Sequence, residues 1–209
     1  MTVLWDWNGT LIADVPHVVK VNNKVFAAHG YRDTTMEEYR SLFHFPVKEY
    51  YLDYGVTEED FPVIAREWNI IYNEGFAEVP LAPHVPDVVK RFQNAGFQQV
   101  ILSASQVDQL REQVACFSQL DGVFDEILGI SDVYASSKVQ LAKDYLARSG
   151  VDPANAVFIG DTSHDAEVAA AIGVRCLLVS GGHQSDEVLK KTGAVVLSSL
   201  RNALDLLGA

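Results

Sequence analysis

The sequence predicts an α/β fold: a Rossmann-like, doubly wound parallel sheet with a small helical cap domain inserted after its first strand. Three observations carry this. Short apolar, β-prone runs alternate with amphipathic helical segments over residues 83–209, the rhythm of right-handed βαβ units. One further apolar run opens the chain, but residues 14–82 separate it from that series with no clear strand pattern of their own. The 209 residues are enough for one core carrying a smaller inserted unit.

In chain order, TVLWD (residues 2–6) is apolar and ends in Asp6 just before Asn8-Gly9, as a buried strand running into a tight turn would. Residues 15–29, 35–42, 46–53 and 57–76 read as helices, and Pro80 and Pro83 flank the return. The expected organisation is therefore a core of residues 1–13 and 83–209 around a cap of residues 14–82, with hinges near Ala13-Asp14 and Leu81-Ala82-Pro83. VPDVVKRFQNAG places Val85, Val88, Val89 and Phe92 at helical period and stops at Gly96. Further strands are predicted over 97–103, 123–128, 155–161, 174–180 and 194–197. Helices are predicted over 106–118, 137–149, 163–172, 184–191 and 199–207.

Composition narrows the class. Hydrophobic residues make up 48% and charged residues 21%, ordinary for a soluble globular chain. No apolar run approaches the roughly 20 residues that span a bilayer. The N-terminus has no charged segment ahead of an apolar one, so neither a membrane association nor a signal peptide is expected. Cys116 and Cys176 form no CxxC and read as reduced thiols of a cytoplasmic protein. A net charge of −12 argues against nucleic-acid partners. It also repels phosphorylated substrates at long range, which a divalent cation at the site would offset locally. The same acidity reads equally well as an aid to solubility.

In an open parallel sheet, ligands bind beyond the carboxyl ends of the strands. Those ends carry Asp6 with Asn8, Gly9 and Thr10; Ser103, Ala104 and Ser105; and Gly160, Asp161 and Thr162, with Asp165 four residues on. Lys138 starts the helix that follows the third strand. Asp6 and Asp161 offer hard oxygens suited to Mg²⁺, and Asp165 adds a third carboxylate to ligate it or to orient its waters. Asp6 can also attack a phosphoryl group to give an aspartyl-phosphate. Lys138 would neutralise the developing charge, while Ser103, the Ala104 amide and Thr10 would hold phosphate oxygens. Each residue has a plainer reading. An Asp after a strand is commonly a helix N-cap, Asp161 with Thr162 and Ser163 can cap the next helix, Ser103 can serve a turn, and Lys138 can be a solvated lysine at a helix start. Their combination at separate strand ends favours a site.

The ordered set DWNGT, SAS, Lys138 and GDTSHD resembles the haloacid dehalogenase-like hydrolases over the whole chain. It is most similar to the small-phosphatase branch with a helical cap after the first strand, which includes phosphoglycolate phosphatases. The resemblance implies a Mg²⁺-dependent phosphatase acting on a small phosphorylated metabolite, phosphoglycolate-like or a sugar phosphate. It implies Asp6 as nucleophile and metal ligand, the backbone carbonyl of Asn8 and the side chain of Asp161 as further ligands, and Asp165 completing the acidic pair. Ser103 would bind phosphate and Lys138 would be the family's lysine.

The chain departs from that pattern at one important place. The family's phosphatases carry a second Asp two residues after the nucleophile, as general acid and base; here that residue is Asn8. A carboxamide cannot exchange a proton in this range, and roughly 10²–10⁴-fold of rate is at stake. A substitute acid from the cap, with His17 a candidate, would restore fast turnover. Without one, the chain would be a slow phosphatase or a phosphate-binding protein. A remoter reading is a phosphonatase-like C–P hydrolase using Lys48. Lys143 is a second candidate for the lysine role, because the family's usual Lys-Pro is here Lys138-Val139. Specificity is expected from FHFPVKEYYLDYG (residues 43–55), with His44, Lys48 and its tyrosines, although aromatics at this density also read as cap core.

Overall fold

The computed structural model describes residues 1–130 and 137–209. The expected loop leading into Lys138 falls in residues 131–136, outside the described residues. Among the described residues, six strands form one sheet: β1 (Thr2–Trp5), β2 (Gln98–Gln106), β3 (Glu126–Ile130), β4 (Ala156–Gly160), β5 (Arg175–Val179) and β6 (Val195–Leu197). All neighbouring pairs are parallel, in the order β3-β2-β1-β4-β5-β6. The winding reverses at β1, which lies between β2 and β4, and a crevice opens beyond the carboxyl ends of strands at such a point.

Every residue of β1 is buried, as a central strand covered on both faces requires. Period-2 alternation sends Val3 and Trp5 to one face and Leu4 to the other. On the first face they meet α5 (Val85–Asn94), α6 (Val107–Ala115) and α10 (Arg201–Leu207) through Val88, Phe92, Leu110 and Leu204. On the second, Leu4, Val100 and Phe158 meet α7 (Lys138–Ser149) and α8 (Ser163–Ile172) through Ala142, Tyr145 and Val168. A short α9 (Asp186–Lys190) joins β5 to β6.

Between β1 and α5 come α1 (Val15–Ala28), α2 (Met36–Leu42), α3 (Val47–Asp53) and α4 (Phe61–Glu74). Their shared interior is aromatic: Phe26 stacks on Tyr54 with ring centroids 5.0 Å apart, and Tyr50 meets Tyr39 edge-on at 5.8 Å. The outgoing and returning chain lie side by side. Ala13 N donates to Pro80 O (2.9 Å), Ala82 N donates to Leu11 O (2.9 Å), and Ile12 bridges Leu81 antiparallel. None of the described helices is long and apolar enough to cross a membrane.

Several boundaries differ from expectation by a few residues, and three of these shifts have a clear local reason. α4 begins at Phe61 rather than residue 57, because the Thr57 hydroxyl accepts from Asp60 N (3.1 Å) and donates to the Asp60 carboxylate (2.9 Å), closing a turn ahead of it. β3 begins at Glu126 rather than residue 123, after Asp125 has used its carboxylate to accept from Gln99 N (2.7 Å). β2 runs on to Gln106 because it bulges over Ser103–Ser105: Leu102 pairs with Leu128, but Gln106 pairs with Ile130. Gly129 permits this, since a Cβ there would stand 2.7 Å from the Ser105 carbonyl oxygen.

Candidate active site

Asp6 and Asp161 each lie one residue beyond adjacent parallel strands. Trp5 is in register with Ile159, and Asp6 N donates to Ile159 O (2.9 Å), so the two carboxylates emerge together. Lys138, the first residue of α7, reaches them from a third direction. Ser137 caps that helix by accepting from Gln140 N (3.3 Å). The Lys138 ammonium bridges Asp6 Oδ1 and Asp165 Oδ1, the latter at 2.6 Å. Asp165 Oδ2 accepts from Asp161 N (3.1 Å), Thr162 N (2.9 Å) and the Thr162 hydroxyl (2.7 Å). Asp165 therefore closes the capping box of α8 and holds the lysine with the same carboxylate. Asp161 accepts from the Thr10 hydroxyl (2.9 Å) and from His183 N (2.6 Å).

Oxygens of Asp6, Asp161 and Asp165 lie within 4.8 Å of one another, and all three residues are buried. Burial pushes the Asp6 carboxyl up to about 8; Lys138 opposes this, and the neighbouring carboxylates add to it. Burial likewise raises Asp161 to about 6, against the pull of His183. Asp165 stays below its ordinary range in spite of burial, because Lys138 and Thr162 stabilise its charge. Burial also disfavours the charged Lys138, but Asp165 and Asp6 outweigh it and raise its pKa. Three carboxylates thus cluster where one ammonium pairs with two of them, Asp6 and Asp165, an excess of negative charge that suits a divalent cation. The Asn8 carbonyl accepts no backbone hydrogen bond among the described residues, which leaves its oxygen free to serve as a further hard ligand. Gly9 keeps this cradle open. Its φ is +71°, and a Cβ would stand 2.8 Å from Asp161 Cγ. These donors fit Mg²⁺, which favours oxygen ligands.

Asn8 is held on both sides of its amide. Its Nδ2 donates to Asp14 Oδ2 (2.8 Å) and to the Tyr72 hydroxyl (2.9 Å), while its Oδ1 accepts from Ser105 Oγ (3.1 Å). Asp14 also accepts from Gly9 N (2.8 Å) and the Tyr72 hydroxyl (2.8 Å). His183 Nε2 stands 3.2 Å from Asp14 Oδ1, out of line for a hydrogen bond, and His183 Nδ1 pairs with the Tyr39 hydroxyl at 2.7 Å. Burial opposes charge on His183, but Asp14 foremost, then Asp161 and Asp6, holds its pKa up at about 9. Sequence reasoning passed over Asp14, Tyr39, Tyr72 and His183. For His183 a signal existed: it sits in SGGH just past the strand expected over 174–180, at a carboxyl end like the others.

The remaining expected residues divide. Ser103 is buried and lines the cavity, and it serves a turn as well, accepting from Ser105 N at 3.1 Å. Ala104 is exposed and lines the same cavity. Thr10, expected on the phosphate, is instead fully buried with its hydroxyl on Asp161 and is not among the lining residues. The loop curls back, with Trp7 O accepting from the amides of Thr10, Leu11 and Ile12, and this turns Thr10 beneath the metal-side carboxylate. His17 is not brought to the site; its Nε2 pairs with Tyr72 O (2.9 Å) and it lines a separate small pocket. Lys143 is exposed on α7, Lys48 pairs with Glu58, and His44 pairs with Asp53 at 3.2 Å; none of the three lines the cavity.

The cavity, about 370 Å³, lies between the strand ends and α1–α4. Asp6, Asn8, Ser103 and Lys138 form its floor, and Phe43, Tyr50, Phe61 and Trp68 are in its roof. One side is closed by contacts between α2 and the loop after β5: Arg40 Nε donates to Gly182 O (2.9 Å), and Ser185 N donates to Arg40 O (3.0 Å).

Residues 3–179 match the family described as haloacid dehalogenase-like hydrolase. Phosphoglycolate phosphatase 1 of Pseudomonas aeruginosa is 22% identical over 213 residues, covering 97% of this chain and 78% of that protein. Phosphoglycolate phosphatase of Synechococcus elongatus is 22% identical over 190 residues, covering 90% of this chain and 87% of that protein. A haloacid dehalogenase-like hydrolase family protein of Streptococcus pneumoniae superposes with a TM-score of 0.87 at 18% identity, covering 99% of this chain and 97% of that one. Protein tyrosine kinase A of Mycobacterium tuberculosis superposes with a TM-score of 0.85 at 21% identity, covering 100% and 98%. One fold thus carries differently named activities, and the site has to decide between them.

Proposed function

The chain belongs to the haloacid dehalogenase-like hydrolase family, and from that premise we propose that it is a Mg²⁺-dependent phosphatase of a small phosphorylated molecule, with Asp6 as nucleophile. The observation that carries this reading is the convergence of Asp6, Asp165 and the Lys138 ammonium at the bottom of one cavity, with the buried Asp161 carboxylate within 4.8 Å of both acids, at the reversal point of the sheet. The relatives named phosphoglycolate phosphatases support the same reaction class. Residues 14–82 are proposed to act as a cap over a core of residues 1–13 and 83–209, with the substrate between them.

Asp6 Oδ1 is paired with Lys138, which leaves the other carboxylate oxygen to attack phosphorus. The bond from phosphorus to the leaving oxygen breaks as the aspartyl-phosphate forms, and water then releases inorganic phosphate. Lys138 and Ser103 stabilise the charge on the phosphoryl oxygens. Mg²⁺, held by Asp6, Asp161 and the Asn8 carbonyl, would supply further neutralisation of that charge when bound. Asp165 is engaged by four donors, so its part is to fix Lys138 and to orient water around the cation. Asn8 has no proton to give a leaving alkoxide; it orients the nucleophile loop, and activated leaving groups are favoured.

Turnover of nitrophenyl phosphate by the wild-type protein and by Asp6→Asn, with and without Mg²⁺, tests the reading. The variant should lose at least about 10³-fold in kcat. Absence of turnover that depends on both Mg²⁺ and Asp6 would overturn it.

A further inference from the structure

The two ends of the cavity differ in charge. Among the described lining residues, the only cationic side chains are Lys138 and His183, and both already face buried carboxylates: Asp6 and Asp165 for the lysine, Asp14 for the histidine. Residues 131–136 (SDVYAS) contain no Lys, Arg or His. No cation is left over to receive a carboxylate on the leaving group, and burying one unpaired is strongly disfavoured. The roof offers instead the apolar and aromatic faces of Val18, Phe43, Tyr51, Phe61 and Trp68.

Two polar atoms in this roof lack partners. Among the described residues, Asn22 Nδ2 and the Tyr50 hydroxyl make no hydrogen bond, although both residues line the cavity and are only 1% exposed. The amide of Asn22 is fixed in orientation, because the Trp68 indole N–H donates to its Oδ1 at 2.7 Å. An indole N–H can only donate, so the partner atom is the carbonyl oxygen and the free atom is a donor, on a side chain that lines the cavity. Buried polar groups in folded proteins are paired as a rule. A pair left open in a ligand-sized cavity is explained by a ligand that closes it.

We propose that the roof binds an uncharged aromatic leaving group carrying a hydrogen-bond acceptor, recognised by Asn22 Nδ2 and the Tyr50 hydroxyl. The substrate class is then a phosphomonoester of a neutral aryl-alkyl alcohol, not a phosphorylated carboxylic acid such as phosphoglycolate. The phosphate end of this assignment rests on the phosphatase reading; the roof rests on its own lining.

The test separates the two. Binding of 2-phenylethanol and 2-(4-acetylphenyl)ethanol, which carry no phosphate, is measured by calorimetry on the wild-type protein, Asn22→Leu and Tyr50→Phe. Their phosphate esters are compared with 2-phosphoglycolate for kcat/KM in Mg²⁺. The acetyl compound should bind about 5- to 10-fold better than its parent, and either variant should erase that preference while leaving the parent's affinity in place. Tyr50→Phe removes only an unpaired hydroxyl, so it carries the test alone if Asn22→Leu does not fold. The aryl-alkyl esters should exceed 2-phosphoglycolate at least about tenfold in kcat/KM. Failure of both alcohols to bind, equal loss of both in the variants, or a preference for 2-phosphoglycolate overturns the inference and leaves the phosphatase reading intact. Alcohol binding as expected with no ester turned over supports the roof assignment and overturns the phosphatase reading.

Discussion

The floor and the roof of the cavity handle polar groups in opposite ways. In the floor, the carboxylates of Asp14, Asp161 and Asp165 each accept at least two hydrogen bonds from fixed donors, several of them backbone amides. In the roof, Asn22 Nδ2 and the Tyr50 hydroxyl are buried with no partner. Apart from His183 Nε2, which makes no hydrogen bond but stands 3.2 Å from Asp14 Oδ1, the floor is complete before a ligand arrives, as positioning of a reacting group requires. The roof leaves its polar contacts for the ligand to complete. The same contrast appears in how the parts are built: the floor stands on strand ends and helix caps of a parallel sheet, the roof on aromatic side chains of helices.

Removing the floor's central cation should have the largest effect. Lys138→Met leaves Asp6 and Asp165 buried without their shared partner, and stability should fall by about 3–5 kcal/mol in urea unfolding with chelator present. Added Mg²⁺ should recover part of the loss by binding the folded state. A loss below about 1 kcal/mol would mean that the floor does not depend on this pair. Next comes Asn8→Asp. It replaces an N–H donated to Asp14 with an oxygen facing the same carboxylate, across what is now a 2.8 Å hydrogen bond. The expected cost is about 1–3 kcal/mol. Adding Asp14→Asn reverses donor and acceptor and should recover at least half of it in a double-mutant cycle. Where the new carboxyl keeps its proton, turnover of alkyl phosphates should rise by up to about 10²–10⁴-fold, the contribution of a general acid.

Much of this floor was legible in the sequence, and the reason is topological. Asp6, Ser103 and Asp161 end apolar runs, and a parallel sheet sends all those ends to one rim. Side-chain direction was not legible. His17 and Val18 are neighbours on α1, but successive helical residues point about 100° apart. Val18 and Asn22, four residues apart, share the face that lines the cavity, whereas His17 turns to the Tyr72 carbonyl. Thr10 was misjudged for a similar reason: the curl of the loop around Trp7 O decides which way its hydroxyl points. Asp14, Tyr39 and His183 come from three distant stretches of chain, and only the packing of α2 against the loop after β5 brings them together.

Two tyrosines of the same cavity give the sharpest test of the contrast, because the same chemical change is made at each. The Tyr72 hydroxyl donates to Asp14 and accepts from Asn8, and so belongs to the floor's network. Tyr72→Phe should cost about 1–2 kcal/mol, since it removes a buried hydrogen bond to a charged group. The Tyr50 hydroxyl is equally buried but has no partner. Tyr50→Phe should change the stability of the ligand-free protein by no more than about 0.5 kcal/mol and can raise it, because an unsatisfied polar group is exchanged for an apolar ring edge. Both are read from the same urea transitions, and both delete one oxygen from a ring that stays in place. A difference of about 1 kcal/mol or more between them locates the stabilisation in the partners, not in the burial of the rings. Equal losses would mean that the Tyr50 hydroxyl is already paired in solution, and the distinction between a finished floor and an open roof would fail at the atom on which it most depends.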